Sequence, residues 1–137
     1  VLATVFYTLF DIFTSRAGNK IDANLSATIF NGLGALIPVT FYVFYKYTKG
    51  AKMMEATTAG IVYSILAGVS IALFSILLIK IFEKSGLTYV IPLIYGGTIV
   101  LASLAGWLFF KESITGLQTG GIIAILVGIT MVILSKS

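Results

Sequence analysis

Cysteine and histidine are both missing from this chain of 137 residues. Without cysteine there is no disulfide frame, no thiolate metal site and no cysteine nucleophile. Without histidine the commonest general base and metal ligand is gone. Charge is scarce as well: Asp, Glu, Lys and Arg make up 10% of the residues, against about 25% in a soluble domain. Hydrophobic residues make up 58%, and the mean hydropathy is +1.07. That balance excludes an ordinary soluble enzyme and a disordered chain. No P-loop, GxSxG or HExxH pattern occurs, and no single span holds paired carboxylates. ATP-driven pumping by this chain alone is therefore not expected, and neither is an enzymatic activity, a cofactor or a metal. The net charge is +4, but the basic residues are scattered and not clustered as a phosphate-binding face requires. They read as charges flanking membrane helices, not as a nucleic-acid interface.

What is present is a series of long apolar runs. A transmembrane helix needs about 20 mainly apolar residues. Leu25–Tyr45, Thr57–Ile79, Leu87–Phe110 and Ser113–Ser135 contain 21, 23, 24 and 23 residues without a charge. The connectors, Lys46–Ala56, Lys80–Gly86 and Lys111–Glu112, are too short for a soluble domain. Val1–Phe10 is apolar but too short to cross. A helix from Val1 to Ala17 or Gly18 just reaches across, with Asp11 inside it; the alternative is a helix lying in the interface. No basic start precedes this run, so a cleaved signal peptide is not expected. The runs are continuous and do not alternate, which favours helices over a β-barrel. The expected fold is a single all-α domain over residues 1–137, a polytopic membrane bundle of five transmembrane helices, or four if the first does not cross.

Orientation follows the Lys and Arg of short loops. With five spans, Lys46, Lys49, Lys52 and Lys111 fall on one side, and Arg16, Lys20, Lys80, Lys84 and Lys136 on the other. Four against five is no bias. Such a chain either inserts both ways and pairs as an antiparallel homodimer, or takes its orientation from a partner or the translocon.

Small residues let membrane helices approach closely. Gly116, Gly120, Ala124 and Gly128 recur every four residues in the last span, and Gly60, Ser64, Gly68 and Ala72 do so in the third. Thr98, Ala102 and Gly106 continue the pattern in the fourth. Packing explains all three seams, and the last span, otherwise uniformly aliphatic, suits pairing with a second copy. Tyr42, Tyr45, Tyr47, Tyr89, Trp107, Phe109 and Phe110 mark the interfaces.

Asp11 carries the most chemical information. An Asp at a helix centre costs about 2.5–3.5 kcal/mol on insertion scales, and such residues face a bundle interior or a wet cavity. There a carboxylate exchanges a proton or binds a cation; alternatively it forms a structural pair with Arg16. Tyr7 and Ser15 share its helix face. In the second span Asn31 needs a partner, and Pro38 frees the Gly34 carbonyl. Pro92, Tyr95 and Gly96–Gly97 repeat the idea in the fourth span. Bent helices of this kind hold transporter sites and also occur in plain membrane helices. Tyr63 and Ser70 share a face of the third span and either line a polar cavity or, for Tyr63, sit near the interface. Glu112, with Ser113 and Thr115, reads as a start signal for the last helix.

The C-terminal part, Ile99–Ser137, resembles the drug/metabolite transporter superfamily, above all its EamA-like branch. The resemblance rests on Gly106, Trp107, Phe109, Phe110 and Glu112, followed by Ile114–Thr115, Gln118 and Gly121. The small multidrug resistance branch is similar too: its last-helix pattern is met by Gly121 and Gly128–Ile129, and Asp11 stands roughly where its first-helix Glu does. Its Tyr–x–x–Trp run is missing, since Pro92 follows Tyr89 at the third position. The resemblance implies a half-size secondary transporter of a small organic solute, a metabolite or a cationic drug. It would be proton- or cation-coupled and work by alternating access as a head-to-tail dimer in a bacterial or archaeal inner membrane. Asp11, Tyr7, Asn31, Tyr63 and Tyr95 are the expected binding residues. The rival readings are a flippase-type subunit for a lipid-linked head group and a non-transporting membrane assembly subunit.

Overall fold

The computed structural model describes residues 1–49 and 56–135. Among them every regular element is a helix: α1 (Leu2–Ala17), α2 (Ala23–Lys49), α3 (Thr58–Phe82), α4 (Leu87–Phe109) and α5 (Gly116–Leu134). The last four are long and apolar enough to cross a membrane. The first helix, α1, with 16 residues, is not one of these four. Most large apolar side chains on all five helices are exposed, which suits hydrocarbon and not water. Side-chain hydroxyls are turned back onto their own helices. Thr8, Thr28, Thr40, Ser64, Ser70, Thr98 and Thr130 each donate to the carbonyl four residues earlier, so none confronts lipid with an unmet donor.

The chain forms two compact units, Val1–Lys84 and Ser85–Ser137. In the first, α1 stops at Gly18, whose backbone is extended (φ −51°, ψ 139°). Asn19 follows in the left-handed region (φ 61°), which Asn tolerates better than most residues. Its Nδ2 donates to the Glu83 carbonyl at 3.0 Å, tying this turn to the end of α3. Asp22 then starts α2: its Oδ1 accepts from the N–H groups of Asn24 (2.9 Å) and Leu25 (3.1 Å), an N-cap geometry. Ala23 and Ala27 pack on Ile79, with Phe30 and Ile76 beside them. Thr57 caps α3 by accepting from Gly60 N–H. The helix α2 runs unbroken through Pro38.

In the second unit α4 is likewise continuous through Pro92 and Gly96–Gly97. The chain reverses at Lys111, in the left-handed region (φ 53°), and the Glu112 N–H returns to the Gly106 carbonyl at 3.1 Å. The start of α5 is set by Thr115, not by Glu112. Thr115 and Gln118 form a complete capping box, and Glu112 lies three residues upstream with its carboxylate over Gly106. The helix α5 packs on α4 through Ile125 and Ile129, which meet Gly96. The Gly116, Gly120, Ala124 and Gly128 seam lies on another face, about 140° round the helix. It is exposed, and a methyl group on any of its three glycines would touch nothing. The α3 seam is exposed as well, its buried face being Ser75, Leu78, Ile79 and Phe82.

Candidate functional site

In the first unit three helices each bring one polar residue to about the same level: Asp11 and Ser75, both buried, and Asn31, half-buried. Gly18 sits against the end of α3: a methyl on it would stand 3.5 Å from the Phe82 carbonyl carbon and 3.6 Å from Glu83 N. The C-terminal ends of α1 and α3 therefore lie side by side, and the two helices run in the same direction. Asp11 precedes Gly18 by seven residues and Ser75 precedes Phe82 by seven. Each is thus about 10 Å from that end. Both are buried, Asp11 at 3% exposure and Ser75 at 1%. The helix α2 runs the other way. Asn31 is one turn beyond Ala27, as Ser75 is one turn before Ile79, so the Ala27–Ile79 contact brings Asn31 to the same level. Phe10 and Phe30, the neighbours of Asp11 and Asn31, meet edge to face at 5.1 Å, which fixes the register of α1 against α2.

Asp11 and Arg16 are five residues apart, about 140° round the helix. Asp11 is buried and Arg16 is exposed, so they occupy different faces of α1. The partner of the Asn31 amide is its own helix: Nδ2 donates to the Ala27 carbonyl at 2.8 Å, where a solute or another helix was expected. Ser75 Oγ does the same with Ile71 at 2.6 Å. Thr14, one turn after Asp11, is buried too, as is Ser26 on α2. Both hydroxyl residues line a cavity of about 390 Å³ between α1 and α2, whose walls include Phe10, Phe13, Ile29 and Phe30. Asp11 and Asn31 are not among its lining residues.

The remaining expected residues are dispersed. Tyr7 is 44% exposed with its ring tilted against Phe10 at 5.8 Å, one turn from Asp11. Tyr63 is 72% exposed and precedes Ser75 by twelve residues, about 18 Å along α3, so it does not share the level of Asp11. Tyr95 is partly buried in the second unit. There, Gly96 is a packing position against Ile129, while a methyl on Gly97 would meet nothing. Gly34 is equally open. Ser75 and Thr14 were not legible as site residues. A serine in a uniformly apolar α3 has no periodic pattern to show which face it takes, and Thr14 gave a signal only through its spacing of three from Asp11.

The first unit thus holds one buried carboxylate, Asp11, with an amide and a hydroxyl at a similar level that are committed to their own helix carbonyls. Such an arrangement can bind and release a proton or a small cation. Comparison of the chain with protein-family models, with curated proteins and with solved structures finds no match.

Proposed function

We propose that this chain is a secondary transporter of a small organic solute, coupled to protons or a cation through Asp11 and working as a dimer by alternating access. The observation that carries this reading is the burial of Asp11, at 3% exposure, inside a unit whose other helices are long and apolar enough to cross a membrane. An ionisable group placed there is costly to insert and is retained where it does work. Asn31 and Ser75 lie at about the same level of the other two helices, each with its polar group bonded to a carbonyl of its own helix. The free small-residue seam of α5 supplies a face for a second copy, as the near-equal charge count of the two sides favours for an antiparallel pair. The membrane is then a prokaryotic inner membrane, and the resemblance in Ile99–Ser137 points to a metabolite or cationic drug as solute.

The test is solute uptake into proteoliposomes under an imposed pH gradient, run on the chain and on Asp11→Asn. The variant keeps size and loses the titratable group. Expected is gradient-driven accumulation by the parent and a drop of at least about tenfold in the variant, the scale of losing a group that acts in every cycle. Exchange without a gradient would survive. Equal uptake by both proteins removes Asp11 from the coupling. An absence of uptake across a panel of amines, sugars and amino acids removes this reading and leaves a flippase-type subunit for a lipid-linked head group or a non-transporting assembly subunit.

A further inference from the structure

The second unit contains a cleft that neither the coupling layer nor helix packing explains. It has a volume of about 270 Å³ and lies between α4 and α5. Its mouth is formed by Trp107, Glu112 and Ser113, and its shaft by Ile99, Ile122 and Ile125 with Ser103, whose hydroxyl is bonded to the Ile99 carbonyl at 2.8 Å. Trp107 and Ile99 are eight residues apart, so the shaft runs about 12 Å along α4. The mouth lies at the helix ends beside Lys111, where a membrane protein meets the headgroups, and the shaft points along the apolar helices into the hydrocarbon.

Glu112 is the only charged residue lining the cleft. Gly106 makes room for it: a methyl there would stand 2.7 Å from Glu112 Oε2. The turn holds the glutamate by its backbone, through the Gly106 carbonyl, and its carboxylate has no hydrogen-bond or ion-pair partner among the described residues. Beside it, the Trp107 indole offers a face that attracts cations. The N-terminus of α5, which would otherwise draw an anion to this place, is occupied by its own capping box, with Gln118 Oε1 accepting from Thr115 N–H at 2.8 Å.

We infer that this cleft binds an ammonium-bearing phospholipid of the surrounding membrane. The ammonium sits between Glu112 and Trp107, and one acyl chain lies along Ile99, Ile122 and Ile125. The charge at the mouth selects a cation, and the apolar shaft beneath it selects a lipid over a soluble amine. The inference is independent of transport.

The experiment is native mass spectrometry of the full chain released from nanodiscs of equal parts phosphatidylethanolamine and phosphatidylglycerol. Retained ethanolamine lipid should exceed glycerol lipid about three- to tenfold, the scale of one exposed ion pair with a cation–π contact. Glu112→Gln should bring the ratio to about one. Gly121→Leu, which fills the cleft at a position where a methyl meets nothing, should lower retention of both lipids. Should Glu112→Gln not fold, N-acetylated phosphatidylethanolamine with the parent chain replaces it, and loss of the preference is again expected. A ratio near one in the parent chain, or a preference that persists in Glu112→Gln or with the acetylated lipid, overturns the proposal. Displacement of the lipid by millimolar free ethanolamine overturns it in favour of a soluble cation site.

Discussion

Glycines of similar appearance have opposite roles in this chain, and only their surroundings separate them. Gly96 faces Ile129, where a methyl group would stand 2.8 Å from Cγ1. Gly128, one residue before Ile129, faces open space. Overfilling a packed contact costs about 1–3 kcal/mol, more than the roughly 0.5–1 kcal/mol that Gly→Ala gains in a helix interior. Gly96→Ala should therefore destabilise the second unit by about 1 kcal/mol, and Gly128→Ala should stabilise it by roughly 0.5–1 kcal/mol. Unfolding in mixed micelles with increasing sodium dodecyl sulfate measures both. Adding Ile129→Val to Gly96→Ala, which removes the terminal methyl nearest the new side chain, should recover part of the loss. Equal effects of the two alanines would show that Gly96 is not a packing position. Gly18 is intermediate: a methyl there would reach the backbone of Phe82 and Glu83 at ordinary contact distance, 3.5 and 3.6 Å. The four-residue seams in the sequence point to Gly116, Gly120 and Gly128, because a repeat is visible in one dimension. Gly18 and Gly96 belong to no repeat, and their neighbours are distant in sequence or lie on another helix.

At the scale of the element, charge marks the helix ends only to within one turn. Lys46 lies inside α2 and Lys80 lies inside α3, because long basic side chains reach the headgroups while their backbone stays helical. The uncharged runs of α2 and α3 accordingly end before the helices do. The opposite error occurs at α5, where the uncharged run begins at Ser113 and the helix at Gly116, since a cap and not a charge fixes that start. Thr115→Ala removes the side chain that accepts from Gln118 N–H and should cost about 1 kcal/mol. Thr115→Ser should be close to neutral. Amide hydrogen exchange reads this locally: Leu117, Gln118 and Thr119 should lose protection in the alanine variant and keep it in the serine variant. Unchanged protection in Thr115→Ala would mean that lipid or α4 holds the first turn. The Asp22 cap of α2 was equally open to reading, as an Asp directly before an apolar run. The polar level shared by α1, α2 and α3 was legible only at Asp11 and Asn31. Its third member, Ser75, needed the register of α3, which a helix apolar on every side does not disclose.

For the whole molecule, the balance of basic residues is the quantity that decides insertion. The five-against-four count does not depend on whether α1 crosses. If α1 lies in the interface instead, Arg16 and Lys20 still precede α2 on the same side as Lys80, Lys84 and Lys136. The expectation of two orientations is therefore the same for either placement of α1. The absence of cysteine makes the test direct, because a single introduced thiol has no background. Ala56, exposed just before α3, lies on the side of Lys46, Lys49, Lys52 and Lys111. In sealed right-side-out vesicles, Ala56→Cys should react with an impermeant maleimide to about half of its total, the fraction expected when neither side holds a positive-charge excess that matters. Adding Lys46→Gln and Lys49→Gln leaves two basic residues against five. Ala56 should then move outside, and labelling should approach completion. Full or zero labelling of the single-cysteine parent would mean one orientation, and the antiparallel pair would be excluded. Half labelling that ignores the two glutamines would mean that something other than loop charge divides the population. Half labelling that shifts with them ties the two orientations to nine side chains, and makes a head-to-tail partner available to every copy without a second gene product.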